Sequence, residues 1–108
     1  MPRRDAKKDA NHDELAAVFS DLLWQVWHTY QVAQFLPGWS DLICLRRGRV
    51  LWVEIKSANG KLTEAEAEMR DKVLANHGEY HIVRSVDDVV RISEGDTVAN
   101  EEDTLTLL

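Results

Sequence analysis

Apolar residues recur along the 108-residue chain with two different periods. After Asn11, the residues Leu15, Val18, Phe19, Leu22 and Leu23 follow helical spacing, which predicts an amphipathic helix with one face in a core. Asn11 stands at the N-cap position, and Glu14, three residues on, can complete a capping box. "LWQVWHTY" is rich in aromatic and β-branched residues and predicts a strand near 24–30. "QVAQFLPGWS" reads as a loop, punctuated by Pro37-Gly38. Asp41 opens a second strand, "DLICLR". "RRGR" turns tightly at Gly48, and "VLWVEIK" returns as the other arm of a hairpin.

"SANG" is a loop. Thr63 caps a second helix over roughly 64–76, with Glu66 at the capping-box position. Leu62, Ala65, Met69 and Val73 supply its apolar stripe, and Gly78 is placed as a C′ stop. "EYHIVR" predicts a fourth strand and "SVDDVVRI" a short capped helix. The order is αβββαβ with a short helix to finish. It predicts an α/β fold whose mixed sheet has one parallel pair and is flanked by helices. A domain over 11–92 follows, with a basic, frayed stretch at 1–10 and an acidic, mobile tail at 93–108.

Composition narrows the class. One domain fits this length, with a core that needs no disulfide staples. The single cysteine, Cys44, excludes a disulfide framework or a Cys-based zinc cluster and reads as a small core residue. Together with the absence of an apolar run near the ~18 residues of a membrane span and of a secretory signal at "MPRRDAKKDANHDE", this points to a reducing cytoplasm and no membrane. The net charge is −6, which argues against a nucleic-acid partner. Its distribution weakens that argument, because residues 94–103 carry five acids and no base. Bases gather at Arg3, Arg4, Lys7 and Lys8, and again at Arg46, Arg47, Arg49, Lys56 and Lys61. Such patches can meet a phosphate backbone with strong salt dependence, or be ordinary solvated charges.

The chemistry lies at the end of the third strand. Val50, Trp52, Glu54 and Lys56 share one face, and Leu51, Val53 and Ile55 share the other. Charges at the end of a strand covered on both sides cost several kcal/mol per ion unless paired or bound. With Arg46 opposite Arg49, the hairpin register puts Asp41 opposite Glu54. Facing carboxylates repel, and a divalent cation between them removes the conflict. Mg²⁺ takes one or two carboxylates, phosphate and waters, and the Ile55 carbonyl could add an oxygen. Lys56 could then orient a water or stabilise charge on a phosphate. Glu-x-Lys alone is a weak signal, and a structural ion pair at a sheet edge gives the same pattern.

"GWSDLICLRRGRVLWVEIKSANGKLTEAEAEMRDKVLANHGEYHIVRSVDDV" resembles the VRR-NUC domain, a branch of the PD-(D/E)xK nuclease superfamily, in particular the short stand-alone versions of phages and bacteria. The resemblance runs over about residues 38–90. It rests on Gly38, Asp41, Glu54-x-Lys56, "GKLT" at a helix start, Gly78 and "HIVRSVDD" in that order. It implies a PD-(D/E)xK core and a metal-dependent endonuclease for branched DNA such as Holliday junctions, working as a homodimer. Asp41, Glu54 and the Ile55 carbonyl would hold Mg²⁺ or Mn²⁺, with Lys56 as the catalytic lysine. An acid on the first helix often completes such sites; Glu14 is the candidate, and its capping role competes with that reading.

Two departures stand beside the match. Ser40 replaces the usual proline. Glu66 replaces a glutamine, which preserves the capping box but could raise metal demand or repel phosphate. Arg46, Arg47, Arg49 and Lys61 are candidate DNA contacts. Trp24, Trp27 and Trp52 are expected in the core, while Trp39, on the loop beside Asp41, is the tryptophan placed to stack on a base. His28 and His81 are expected to be buried and hydrogen-bonded. The rival reading is a non-catalytic nucleic-acid-binding or interaction module on a nuclease fold.

Overall fold

The computed structural model describes residues 8–95. The basic stretch before Lys8 and most of the acidic tail lie outside the described residues. The elements are α1 (His12–Asp21), β1 (Gln25–His28), a 3-10 helix (Tyr30–Gln34), β2 (Leu42–Arg46), β3 (Arg49–Ile55), α2 (Glu64–Ala75), β4 (Glu79–Val83) and α3 (Val86–Ser93). This is the αβββαβ order with a final helix. The sheet order is β1-β2-β3-β4. The first three strands pair antiparallel, and β4 joins β3 in parallel. Among the described residues no helix is long and apolar enough to cross a membrane.

Alternation along β3 divides the core in two. Leu51, Val53 and Ile55 join Leu42, Cys44 and Val83 beneath α1 and α3, which contribute Leu15, Phe19, Val89 and Ile92. The opposite face packs Tyr80 and Ile82 against Val73 and Leu74 of α2, with Trp52, Leu62 and Met69 at the margin. Burial pushes the Cys44 thiol up to about 12, so it serves as a small apolar side chain. The helix α2 covers β4 and β3 only. Trp27 therefore stands 47% exposed on β1, not in the core where the sequence put it; Trp24 is buried and Trp52 half-buried. His81 is buried as expected and contacts Glu79 at 3.2 Å. His28 is exposed, 3.3 Å from the buried His12.

Helix ends account for three further differences. Asn11 does not cap α1 with its side chain. Its amide donates across the fold to the carbonyls of Lys56 (3.3 Å) and Arg84 (3.4 Å). Those carbonyls end β3 and β4 beyond the ladder and need donors. Leu23 leaves the helical stripe, takes φ 71° and is 78% exposed. The N–H groups of Leu23 and Trp24 bond back to Ser20 and Phe19, a Schellman closure. The second helix closes the same way. His77, with φ 64°, holds C′, and the Gly78 N–H reaches the Val73 carbonyl at 2.8 Å. Gly78 is thus C″, and glycine is required there because a Cβ would lie 2.7 Å from Val73 Cγ1.

The folded unit extends beyond 11–92 at both ends. Ser93 completes α3, accepts a hydrogen bond from Trp24 Nε1 at 2.9 Å and offers its carbonyl to Arg46. At the other end, the Asp9 carbonyl receives the His12 N–H at 3.0 Å.

Candidate active site

The β2–β3 register runs from Arg46↔Arg49 to Leu42↔Val53, as the hairpin pairing predicts, and its next step sets Asp41 against Glu54. Here the main-chain ladder gives way to a side chain. Asp41 Oδ2 accepts the Ile55 N–H at 2.7 Å, and the Asp41 carbonyl accepts the Thr29 N–H at 2.8 Å. Ser40, buried beside it, donates its hydroxyl to the Leu42 carbonyl at 3.2 Å and receives Thr29 Oγ1 at 2.9 Å. Serine thus fixes the approach to Asp41 in place of a proline ring.

Glu54 and Lys56 follow on the face that α2 covers. The Lys56 ammonium lies 3.6 Å from Glu54 Oε2 and 2.8 Å from Glu66 Oε1. Glu66 is also the capping-box residue of α2: its Oε1 accepts the Thr63 N–H at 2.8 Å, and its own N–H reaches Thr63 Oγ1 at 3.1 Å. One carboxylate therefore caps the helix and holds the lysine. Glu54 Oε1 is buried with no hydrogen-bond partner.

The charges are strongly unequal. Burial, then the charges of Asp41 and Glu66, push the Glu54 carboxyl up to about 10. Burial also raises Asp41, to about 6, against the opposing Ile55 N–H. Burial alone would raise Glu66, but its bonds to Lys56 and Thr63 outweigh it and hold the group below its ordinary value. Burial would lower Lys56, yet Glu66 and Glu54 prevail and raise it. Burial thus favours the neutral form of Glu54, while Lys56 and Glu66 form the ion pair.

Two surrounding contacts fix this end of the sheet. Gly38, with φ +90°, lies so close to α2 that a Cβ would stand 2.3 Å from the Ala65 carbonyl oxygen. The Arg84 guanidinium donates to the carbonyls of Ser57 (2.7 Å) and Gly60 (2.6 Å), pinning the loop between β3 and α2. Arg84 lies within the "HIVRSVDD" motif, but the sequence reading gave it no role of its own.

Asp41, Glu54, Ile55, Lys56 and Glu66 are thus together, with Trp39 and Ser40 on the adjoining loop. Glu14 is not. It is exposed on α1, in the helix's first turn. Asp9, just before the helix, adds its charge to that of Glu66 on both Asp41 and Lys56, as the smallest of the causes there. Its place one turn ahead of the helical stripe hid it.

Two of the candidate DNA contacts have internal work. Arg46 stacks over Trp24 at 4.7 Å and donates to the Leu22 and Ser93 carbonyls. Arg49 forms a bidentate pair with Glu79 (2.7 and 3.0 Å) and donates to the Ile92 carbonyl. Arg47 is exposed on the turn at the far end of the hairpin, and Lys61 is exposed on the loop before α2. Among the described residues, no group of three or more His, Cys, Asp or Glu side chains is arranged to hold a metal ion. Compared with protein-family models, curated proteins and solved structures, the chain has no match.

Proposed function

We propose that the protein is a metal-dependent DNA endonuclease of VRR-NUC type on a PD-(D/E)xK core, hydrolysing phosphodiester bonds in branched DNA such as Holliday junctions. The observation that carries this reading is the meeting of Asp41, Glu54 and Lys56 at one end of the β2–β3 hairpin, under the first turn of α2. The αβββαβ order supports it.

The donor set fits a hard divalent cation. Glu54 Oε1 is buried and unpartnered, and Asp41 spends only one oxygen on the Ile55 N–H. These two carboxylates and the Ile55 carbonyl would hold Mg²⁺ or Mn²⁺, which needs few protein ligands when waters and phosphate complete its shell. Such an ion supplies Lewis-acid activation of water and charge neutralisation on the phosphate. Lys56 is the group on this chain that orients the attacking water and stabilises negative charge building on the phosphate oxygens. Glu66 holds the Lys56 ammonium until substrate arrives, and Gly38 and Arg84 keep the two flanking loops in register. Asp9, in place of Glu14, is the further acid within range.

A homodimer suits paired cuts, and the uncovered side of the sheet offers it surface: Trp27, Leu45 and Val50 are all exposed there. The buried thiol of Cys44 suits a reducing cytoplasm. The 2.8 Å Lys56–Glu66 pair also favours a second reading, a DNA-binding module without catalysis, because it occupies the lysine.

Incubating branched and linear DNA with and without Mg²⁺ or Mn²⁺ separates the two. Cleavage that needs the metal and is lost in Asp41→Asn and Lys56→Ala is the expected result. Cleavage surviving in both variants would refute the site; binding without cleavage under every condition would establish the module.

A further inference from the structure

Beside the carboxylates, between α2 and the sheet, lies a groove of about 260 Å³ lined by Trp39, Trp52, Met69, Lys72 and Asn76, with Gly78 among its walls. We infer that this groove is a nucleobase subsite, taking one unpaired base of the strand whose phosphate is cut; the inference rests on the nuclease reading.

The chemistry of the walls narrows the occupant. Trp39 and Trp52 are both half-buried, so each indole keeps part of its surface open. Two indoles and a thioether form flat, polarisable surfaces. No acidic side chain lines the groove, and the exposed Lys72 gives it positive charge. A nucleobase answers these features: a π face that stacks on tryptophan and an attached phosphate for the lysine. An aromatic side chain from a protein partner would stack but bring no phosphate.

Position agrees with chemistry. Trp39 precedes Asp41 by two residues, and Trp52 precedes Glu54 by two on the same face of β3. Two strand residues span about 6–7 Å, so a base held here belongs to a nucleotide next to the scissile phosphate. Gly78 keeps the space open, since a Cβ there would meet the Trp52 ring at 3.4 Å as well as Val73. Stacking is interrupted at a branch point, so a base there is drawn out of its pair at less cost than one inside a continuous duplex, and the groove gives the enzyme a means of preferring branched substrates.

The test is fluorescence anisotropy of short labelled single strands, intact or with one abasic site moved along the sequence, in Ca²⁺. Metal-dependent cleavage of branched DNA is measured in parallel. Wild-type protein is expected to bind the intact strand about tenfold more tightly than the strand abasic at one position, the size of one base–aromatic stack. Trp39→Ala abolishes that preference. Lys72→Glu, at an exposed position, weakens binding of both strands and covers the case in which Trp39→Ala fails to fold. Equal binding of intact and abasic strands by a protein that cleaves DNA overturns the subsite and leaves the nuclease reading intact. Neither binding nor cleavage overturns both. A tryptophan emission shift on raising protein concentration, without DNA, that persists in Trp27→Phe and is lost in Trp39→Phe assigns the groove to a second copy and also overturns the inference.

Discussion

Asp41 carries a cost when ionised in the metal-free protein. It sits 8% exposed, and burial, with the nearby charge of Glu66, raises its carboxyl to about 6 from an ordinary 3.8. A carboxyl raised on folding means that the native state holds the proton longer than the unfolded chain. Its stabilising share is complete below about pH 4 and is lost as the pH rises through about 6. Asparagine keeps an oxygen for the Ile55 N–H but carries no charge. Metal-free Asp41→Asn should therefore match wild type near pH 4 and exceed it by about 2–3 kcal/mol near pH 8, as read by thermal unfolding. An ordinary structural ion pair predicts the reverse, a loss of stability at neutral pH. Stability given up at a site for the sake of function is a familiar exchange.

Gly38 and the hairpin decide whether the site assembles. The two-residue turn at Arg47 and Gly48 has positive φ at both positions (52° and 82°), the geometry that fits the twist of paired strands. It fixes the register that sets Asp41 against Glu54. Gly38 fixes the other approach, against α2. Gly38→Ala places a methyl against backbone that cannot swing aside, in a conformation alanine resists. It should cost about 3 kcal/mol or more and lose cleavage with it, whereas a glycine serving only a free loop would cost a fraction of that. Much of this was legible. Alternation along "VLWVEIK" and the glycine turn gave the strands and their register, and Thr63 with Glu66 gave the start of α2. The end of α1 was not legible, because Leu23 obeys the helical period yet adopts a left-handed closure that only tertiary contacts select. Nor was Asn11, whose capping signature is genuine but whose amide bonds to strand ends distant in sequence.

Over the molecule as a whole, cations hold the fold at one end of the sheet, and the buried carboxyls gather at the other. Arg46 and Arg49, which read in sequence as a basic patch, close over Trp24 and the last turns of α1 and α3. Burial and hydrogen bonding, invisible in a charge count, turn those cations inward. The catalytic candidates were legible because Asp41, Glu54 and Lys56 need only strand period and register to be brought together. Asp9 was not, since its position depends on how the chain enters α1. What unites the site is the expectation that two raised carboxyls and an unpartnered oxygen await a cation. Calorimetric titration of Mn²⁺ into wild type, Asp41→Asn and Glu54→Gln reads that directly. The account predicts saturable binding to wild type, with proton release as Glu54 ionises, and its loss in both variants. Undiminished binding in the variants, or none in wild type, would contradict it.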